Sequence, residues 1–263
     1  MEQLLHYRTS GRPDSPALLL IHPLGSDLRF WDECVALWDE RYYCIACDLQ
    51  SAGLSPRPDV PAGLGEHVAD LERLRAGLGV PSVVPIGCAI GGMVAASYAA
   101  RHPEQTRALI VTNPGLRNSE AARTMLRERV GIVRKSGMAV LLPGAADRAF
   151  HQLPHDLRYE HYVERYGVQD PERYALSVLG FLDADVRNIV PRVRCRTLIV
   201  AGEHDILMPA GDGPAMKDLM PRAEFTLMQG VAHFLLYQAP DRFAAMAARF
   251  LDGVSLSGAS DGT

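Results

Sequence analysis

Five short runs along the chain, "ALLLIHPLG", "YYCIACDL", "VVPIGC", "RALIVTNPG" and "RTLIVAGEHD", are almost continuously apolar and end in Gly, Pro, Asp or Asn. Continuous rather than alternating hydrophobicity implies strands buried on both faces, which is the habit of parallel strands covered by helices. Between them the period lengthens. Phe30, Cys34, Leu37 and Trp38 fall on one helical face, Val68, Leu71, Leu74 and Leu78 on another, and Phe243, Met246 and Phe250 on a third, behind Pro240 in a first-turn position. Strand and helix alternate over residues 16–113 and again over 196–252. That order predicts an α/β fold built on a mostly parallel, doubly wound sheet.

Between those blocks the pattern is helical only, in "SEAARTMLRERVGIVRKSG", "GAADRAFHQ", "HDLRYEHYVERYG" and "DPERYALSVLGFLDAD". We read residues 1–115 and 191–253 as the core, 116–190 as a helical lid over the carboxyl ends of the strands, and 254–263, which is small and polar, as a disordered tail. The lid is also where a second copy of the chain would find a face, making a homo-oligomer.

At 263 residues and 48% hydrophobic, the chain has material for one large core. Its net charge of −4 is mild and its basic residues are scattered, which favours a small-molecule partner over nucleic acid or an anionic membrane. The start "MEQLLHYRTSGRPD" lacks the layout of a signal peptide, and no stretch approaches the roughly 18 to 20 apolar residues of a membrane span, so a cytoplasmic protein is expected. Five cysteines argue against a closed disulfide framework. Cys44 and Cys47 mimic a C-x-x-C pair, but on a strand an offset of three puts the thiols on opposite faces, so packing is expected of them.

Gly87-Cys88-Ala89-Ile90-Gly91 joins an apolar strand to a small-residue helix. A nucleophile at such an elbow adopts strained backbone angles, and the residues two positions away on either side must be small. Gly87 and Gly91 satisfy that about position 89, where the residue is alanine. Reading Cys88 as the nucleophile would put Ile86 and Ile90 at the crowded flanks.

"HPLG" after the first core strand, "DLQSAGLS" after the second, "GCAIGG" at the elbow, "AGEHDILMP" after a late strand and "GVAHFLL" before the last helix together resemble the α/β-hydrolase superfamily, in particular its 3-oxoadipate enol-lactonase-like esterases. The resemblance covers residues 4–252. It implies Ala89 at the nucleophile position, Asp205 as the acid and His233 as the imidazole base, with Glu203 the fallback acid and His204 a turn residue. It also implies an oxyanion hole from the backbone N–H groups of Leu24 and Ile90, because Pro23 has none to give. His22 either lines the pocket or caps its strand. Gln50-Ser51-Ala52-Gly53 stands where relatives often have R-G-H-G.

Alanine at the elbow leaves three readings open. Ala89 replaces an engineered-out serine, or it is native and the Asp205–His233 pair works on water or on an acidic proton of the substrate, or the fold is a binder that catalyses nothing. Hydrolysis of a small ester or lactone leads, ahead of a lyase or cyclase reaction and of binding alone. In the lid, His151, His155, Tyr159, His161, Tyr162, Arg158 and Arg165 form a cluster suited to a carboxylate on the substrate, with Arg158 and Tyr162 the leading contacts. No metal site and no cofactor are expected: no carboxylate or cysteine completes a histidine set, "GCAIGG" lacks G-x-G-x-x-G spacing, and Met93 stands where a P-loop needs its lysine-serine pair.

Overall fold

A computed structural model describes residues 3–208 and 211–256. Its strands are β1 (Tyr7–Ser10), β2 (Ala17–Ile21), β3 (Tyr43–Cys47), β4 (Val83–Cys88), β5 (Ala108–Thr112), β6 (Arg196–Gly202) and β7 (Ala223–Met228), and they form one sheet in the order β1-β3-β2-β4-β5-β6-β7. Every neighbouring pair is parallel except β1–β3. The five strands expected from the apolar runs are the five central ones, and β2 to β5 are buried along their whole length. β1 and β7 carry no such run. Each lies at an edge with one strand neighbour, and their mixed exposure explains why apolar continuity missed them.

Helices cover both faces. The α1 (Asp32–Trp38), α9 (Leu235–Gln238) and α10 (Pro240–Asp252) helices share one face, where Leu18, Leu20, Ile86 and Ile110 point toward Trp38 and Phe243. On the other face α2 (Leu64–Gly77), α3 (Ile90–Arg101) and α8 (Asp212–Leu219) bury Leu19, Ile21, Ile45 and Val111 with Leu71 and Val94. Cys44 and Cys47 go to opposite faces, as their spacing requires. One helical face needs correction: Leu28–Trp31 is a 3-10 turn capped by Asp27, so the buried set entering α1 is Trp31, Cys34 and Trp38, while Leu37 is 47% exposed.

Between β5 and β6 the chain forms α4 (Glu120–Ser136), α5 (Gly144–Ala149), α6 (Leu157–Gly167) and α7 (Pro171–Phe181), one for each helical segment expected there. Their side-chain caps were readable: Ser119, Asp156 and Asp170 accept from the first-turn N–H groups of α4, α6 and α7. Of the expected tail, residues 257–263 lie outside the described residues. Among the described residues no helix is long and apolar enough to cross a membrane.

Candidate active site

Ala89 sits between β4 and α3 with φ 52° and ψ −115°, a conformation that L-residues rarely adopt. Its N–H donates to the Thr112 carbonyl at 2.9 Å, and its own carbonyl accepts from Gly92 N–H at 2.9 Å, so the turn is held from both sides. A Cβ at Gly87 would collide with the Gly91 carbonyl, and one at Gly91 with the carbonyls of Ile21 and His22. The crowding therefore lies two residues either side of position 89. Cys88 is the last residue of β4 and fully buried, and burial pushes its thiol up to about 12.

Asp205 follows β6 in a tight turn. Its carboxylate accepts from the N–H groups of Leu207 (2.8 Å) and Met208 (3.1 Å), from Asn113 Nδ2 (2.9 Å) and from His233 Nδ1 (3.0 Å). His233 lies in the loop between β7 and α9, anchored by its N–H to the Ala149 carbonyl of α5 at 3.2 Å. Both side chains are buried, 8% and 5% exposed. Burial opposes ionisation of Asp205, but the His233 ring, the Asn113 amide and the Met208 N–H outweigh it and hold the carboxyl below its ordinary range. With Nδ1 committed to Asp205, Nε2 is the ring nitrogen left for proton transfer. Glu203, the fallback acid, instead accepts from Gly230 N–H at 2.8 Å, with His204 beside it at 3.7 Å.

A cavity of about 160 Å³ brings together Ala89, His233, Leu24 and Ile90 with Tyr162 and Arg129. Leu126, Met208 and Phe234 make much of the rest of its wall apolar. Ile90 opens α3, so its N–H has no acceptor within the helix. The largest cleft, about 500 Å³, lies elsewhere, beside β1 and the loop after β3, and contains neither Ala89 nor His233.

Two expected substrate contacts, His22 and Arg158, are not part of this cavity's wall. His22 is buried with both ring nitrogens committed, Nδ1 donating to the Pro23 carbonyl at 2.8 Å and Nε2 accepting from Leu49 N–H at 3.0 Å. Burial lowers its pKa, and its two hydrogen bonds brace the loops after β2 and β3. Arg158 turns outward to Glu33 at 3.0 Å, Arg165 lines the larger cleft, and His155 stacks on Tyr159 with ring centroids 3.7 Å apart. Of that cluster, Tyr162 lines the cavity. Two arginines line it with Tyr162, Arg129 of α4 and Arg148 of α5, neither of them in the expected cluster. The signal for Arg129 was there: Ala122, Leu126, Val130 and Val133 make the apolar stripe of α4, and Arg129 is a charge at its border. Among the described residues no group of three or more His, Cys, Asp or Glu side chains could hold a metal ion.

Comparison with known proteins agrees with this architecture. The chain is similar to 3-oxoadipate enol-lactonase 2 of Acinetobacter baylyi, 26% identical over 251 residues that cover 91% of this chain and 90% of that protein. It is also similar to a putative carbamate hydrolase, RutD, of Caulobacter sp., 23% identical over 262 residues, with 95% and 96% covered. Among solved structures, the enol-lactonase from Burkholderia xenovorans LB400 superposes with a TM-score of 0.88 at 23% identity, covering 94% of this chain and 96% of that one. A thermophilic esterase from Thermogutta terrifontis does so with 0.88 at 23% identity, covering 94% and 93%. Residues 16–158 match the family model of the alpha/beta hydrolase fold. The chain belongs to the α/β-hydrolase fold family.

Proposed function

We propose that this protein hydrolyses a small ester, lactone or carbamate by activating water with the Asp205–His233 pair, without a covalent enzyme intermediate. One observation carries the reading: His233, hydrogen-bonded to the buried Asp205 carboxylate, lines the same cavity as an elbow whose side chain at position 89 is a methyl group. Asp205 fixes the Nδ1–H tautomer of His233 and stabilises the imidazolium that forms. Nε2 takes a proton from water, and the water oxygen attacks the substrate carbonyl. The N–H groups of Leu24 and Ile90 meet the developing oxyanion, and His233 returns the proton to the leaving oxygen or nitrogen.

A serine hydrolase stripped of one triad member still keeps roughly 10³ to 10⁴-fold rate enhancement over water. That suits activated substrates, and the names of the relatives, an enol-lactonase and a putative carbamate hydrolase, support the same range. For the substrate we favour a molecule with a carboxylate. Arg129 is half-buried, lines the cavity, and donates to Tyr174 Oη at 3.3 Å, while its recorded partners among the described residues include no carboxylate. A guanidinium in a largely apolar wall gains most from an anionic ligand.

The test is turnover of a panel of small aryl esters, enol-lactones and carbamates by the parent, Asp205→Asn and His233→Ala. The parent is expected to turn over at least one class, and both variants to lose about 10² to 10⁴-fold in kcat/KM. A parent inert on the whole panel ends the hydrolase reading, and variants that match the parent end the assignment of the pair.

A further inference from the structure

We infer that Asn113 is a positioning residue that holds the Asp205–His233 pair in working geometry; this rests on the reading of that pair as the proton-transfer group. Asn113 follows β5 by one residue, is fully buried, and has φ 50°, in the left-handed region where asparagine is among the few side chains tolerated. Its own N–H donates to the Val200 carbonyl of β6 at 2.7 Å, so its backbone is pinned to the strand that delivers the acid.

The side-chain amide then joins three separate segments. Nδ2 donates to Asp205 Oδ2 at 2.9 Å and to the Ala232 carbonyl at 3.1 Å, one residue before His233. Oδ1 lies 3.9 Å from Cys88 Sγ, one residue before Ala89. Both Nδ2 partners are acceptors, which fixes the orientation of the amide. One buried group thus ties the carboxylate to the main chain that presents the imidazole and to the strand end that presents the elbow. Aspartate there would replace a donor by a charge directed at Asp205, and leucine would leave the carboxylate short of a hydrogen bond.

Other groups around the pair leave that role to Asn113. Cys88 faces it from β4 as a buried neutral thiol, Arg129 and Arg148 reach the cavity from α4 and α5, Tyr162, Tyr166 and Tyr174 line it from α6 and α7, and Glu203 and His204 interact with each other and with Gly230. Asn113 itself is not part of the cavity wall.

The experiment is the pH dependence of kcat/KM for the parent, Asn113→Asp and Asn113→Leu. An extra negative charge, or a carboxylate robbed of a donor, favours the protonated imidazole, so the acid limb should move to higher pH. We expect about one pH unit or more for Asn113→Asp, with kcat lowered and KM nearly unchanged. A role in packing alone would lower thermal stability and leave the limb in place, and an unmoved limb in both folded variants overturns the inference. If neither variant folds, side-chain amide NMR of the parent decides. The two Nδ2 protons of Asn113 should titrate with the pair, and pH-independent signals overturn the inference. A parent without turnover would sink the hydrolase reading, whereas an active parent whose limb is shared by Asn113→Asp sinks this inference only.

Discussion

At position 89 the backbone keeps a conformation that costs roughly 1–3 kcal/mol, although a methyl group gains nothing chemical from the strain. The turn does place Ile90 at the start of α3, in the cavity that His233 also lines. Arg129 makes a prediction at the same scale. Arg129→Met keeps the aliphatic stem and removes the charge, so it should raise KM for an anionic ester about 10 to 100-fold, the worth of one charge-assisted contact, and leave a neutral ester of equal size unchanged. Equal loss on both esters would show that Arg129 shapes the cavity without reading charge. The turn at Ala89 was legible from its flanking glycines, while the meeting of Asp205 with His233 was an implication of the family resemblance and not of any local pattern. The partners of His22 and Arg158 were not legible, because spacing does not say which partner a polar side chain finds: a proline carbonyl and a leucine N–H claim the first, Glu33 the second. Asn113 could not be weighed at all from the sequence, since its partners lie 92 and 119 residues further on.

Among the elements, the central strands announced themselves because burial on both faces demands continuous apolar residues. The edges did not, because β1 needs only register with β3 and β7 only with β6. The inserted helices were legible from the helix-only pattern of residues 116–190, and side-chain caps at Ser119, Asp156 and Asp170 start three of them. How they pack was not. Tyr162 of α6 and Tyr174 of α7 reach the same cavity as Arg129 of α4, an arrangement that depends on tertiary packing rather than on any one helix's period. Gly87 and Gly91 show the reverse case, where a local pattern already contained the tertiary reason: each must be bare because another backbone passes against it.

For the whole molecule, buried histidines set a pH limit. His67 is 1% exposed, stacks on Phe181 with ring centroids 4.9 Å apart, and has no hydrogen-bond partner for Nδ1 among the described residues; burial drives it down to about 4. The unfolded chain takes up that proton near pH 6.5 and the folded one only near 4, so stability is full above 6.5 and falls as pH drops through that window. The loss from this group is on the order of 3 kcal/mol, and His22, shifted the same way, adds to it. Urea melts at pH 7.5 and 4.5 should show the decline, and His67→Phe should flatten it; parallel decline in both proteins would place the pH sensitivity elsewhere. The reaction proposed above is hydrolysis without a covalent nucleophile. Its most direct measurement is intact-protein mass spectrometry during turnover of an activated aryl ester, run on the parent and on Ala89→Ser. The account predicts that the parent releases product with no acyl adduct, while any adduct forms only on the serine variant. A parent that is inert while Ala89→Ser turns over through an acyl-enzyme would contradict it.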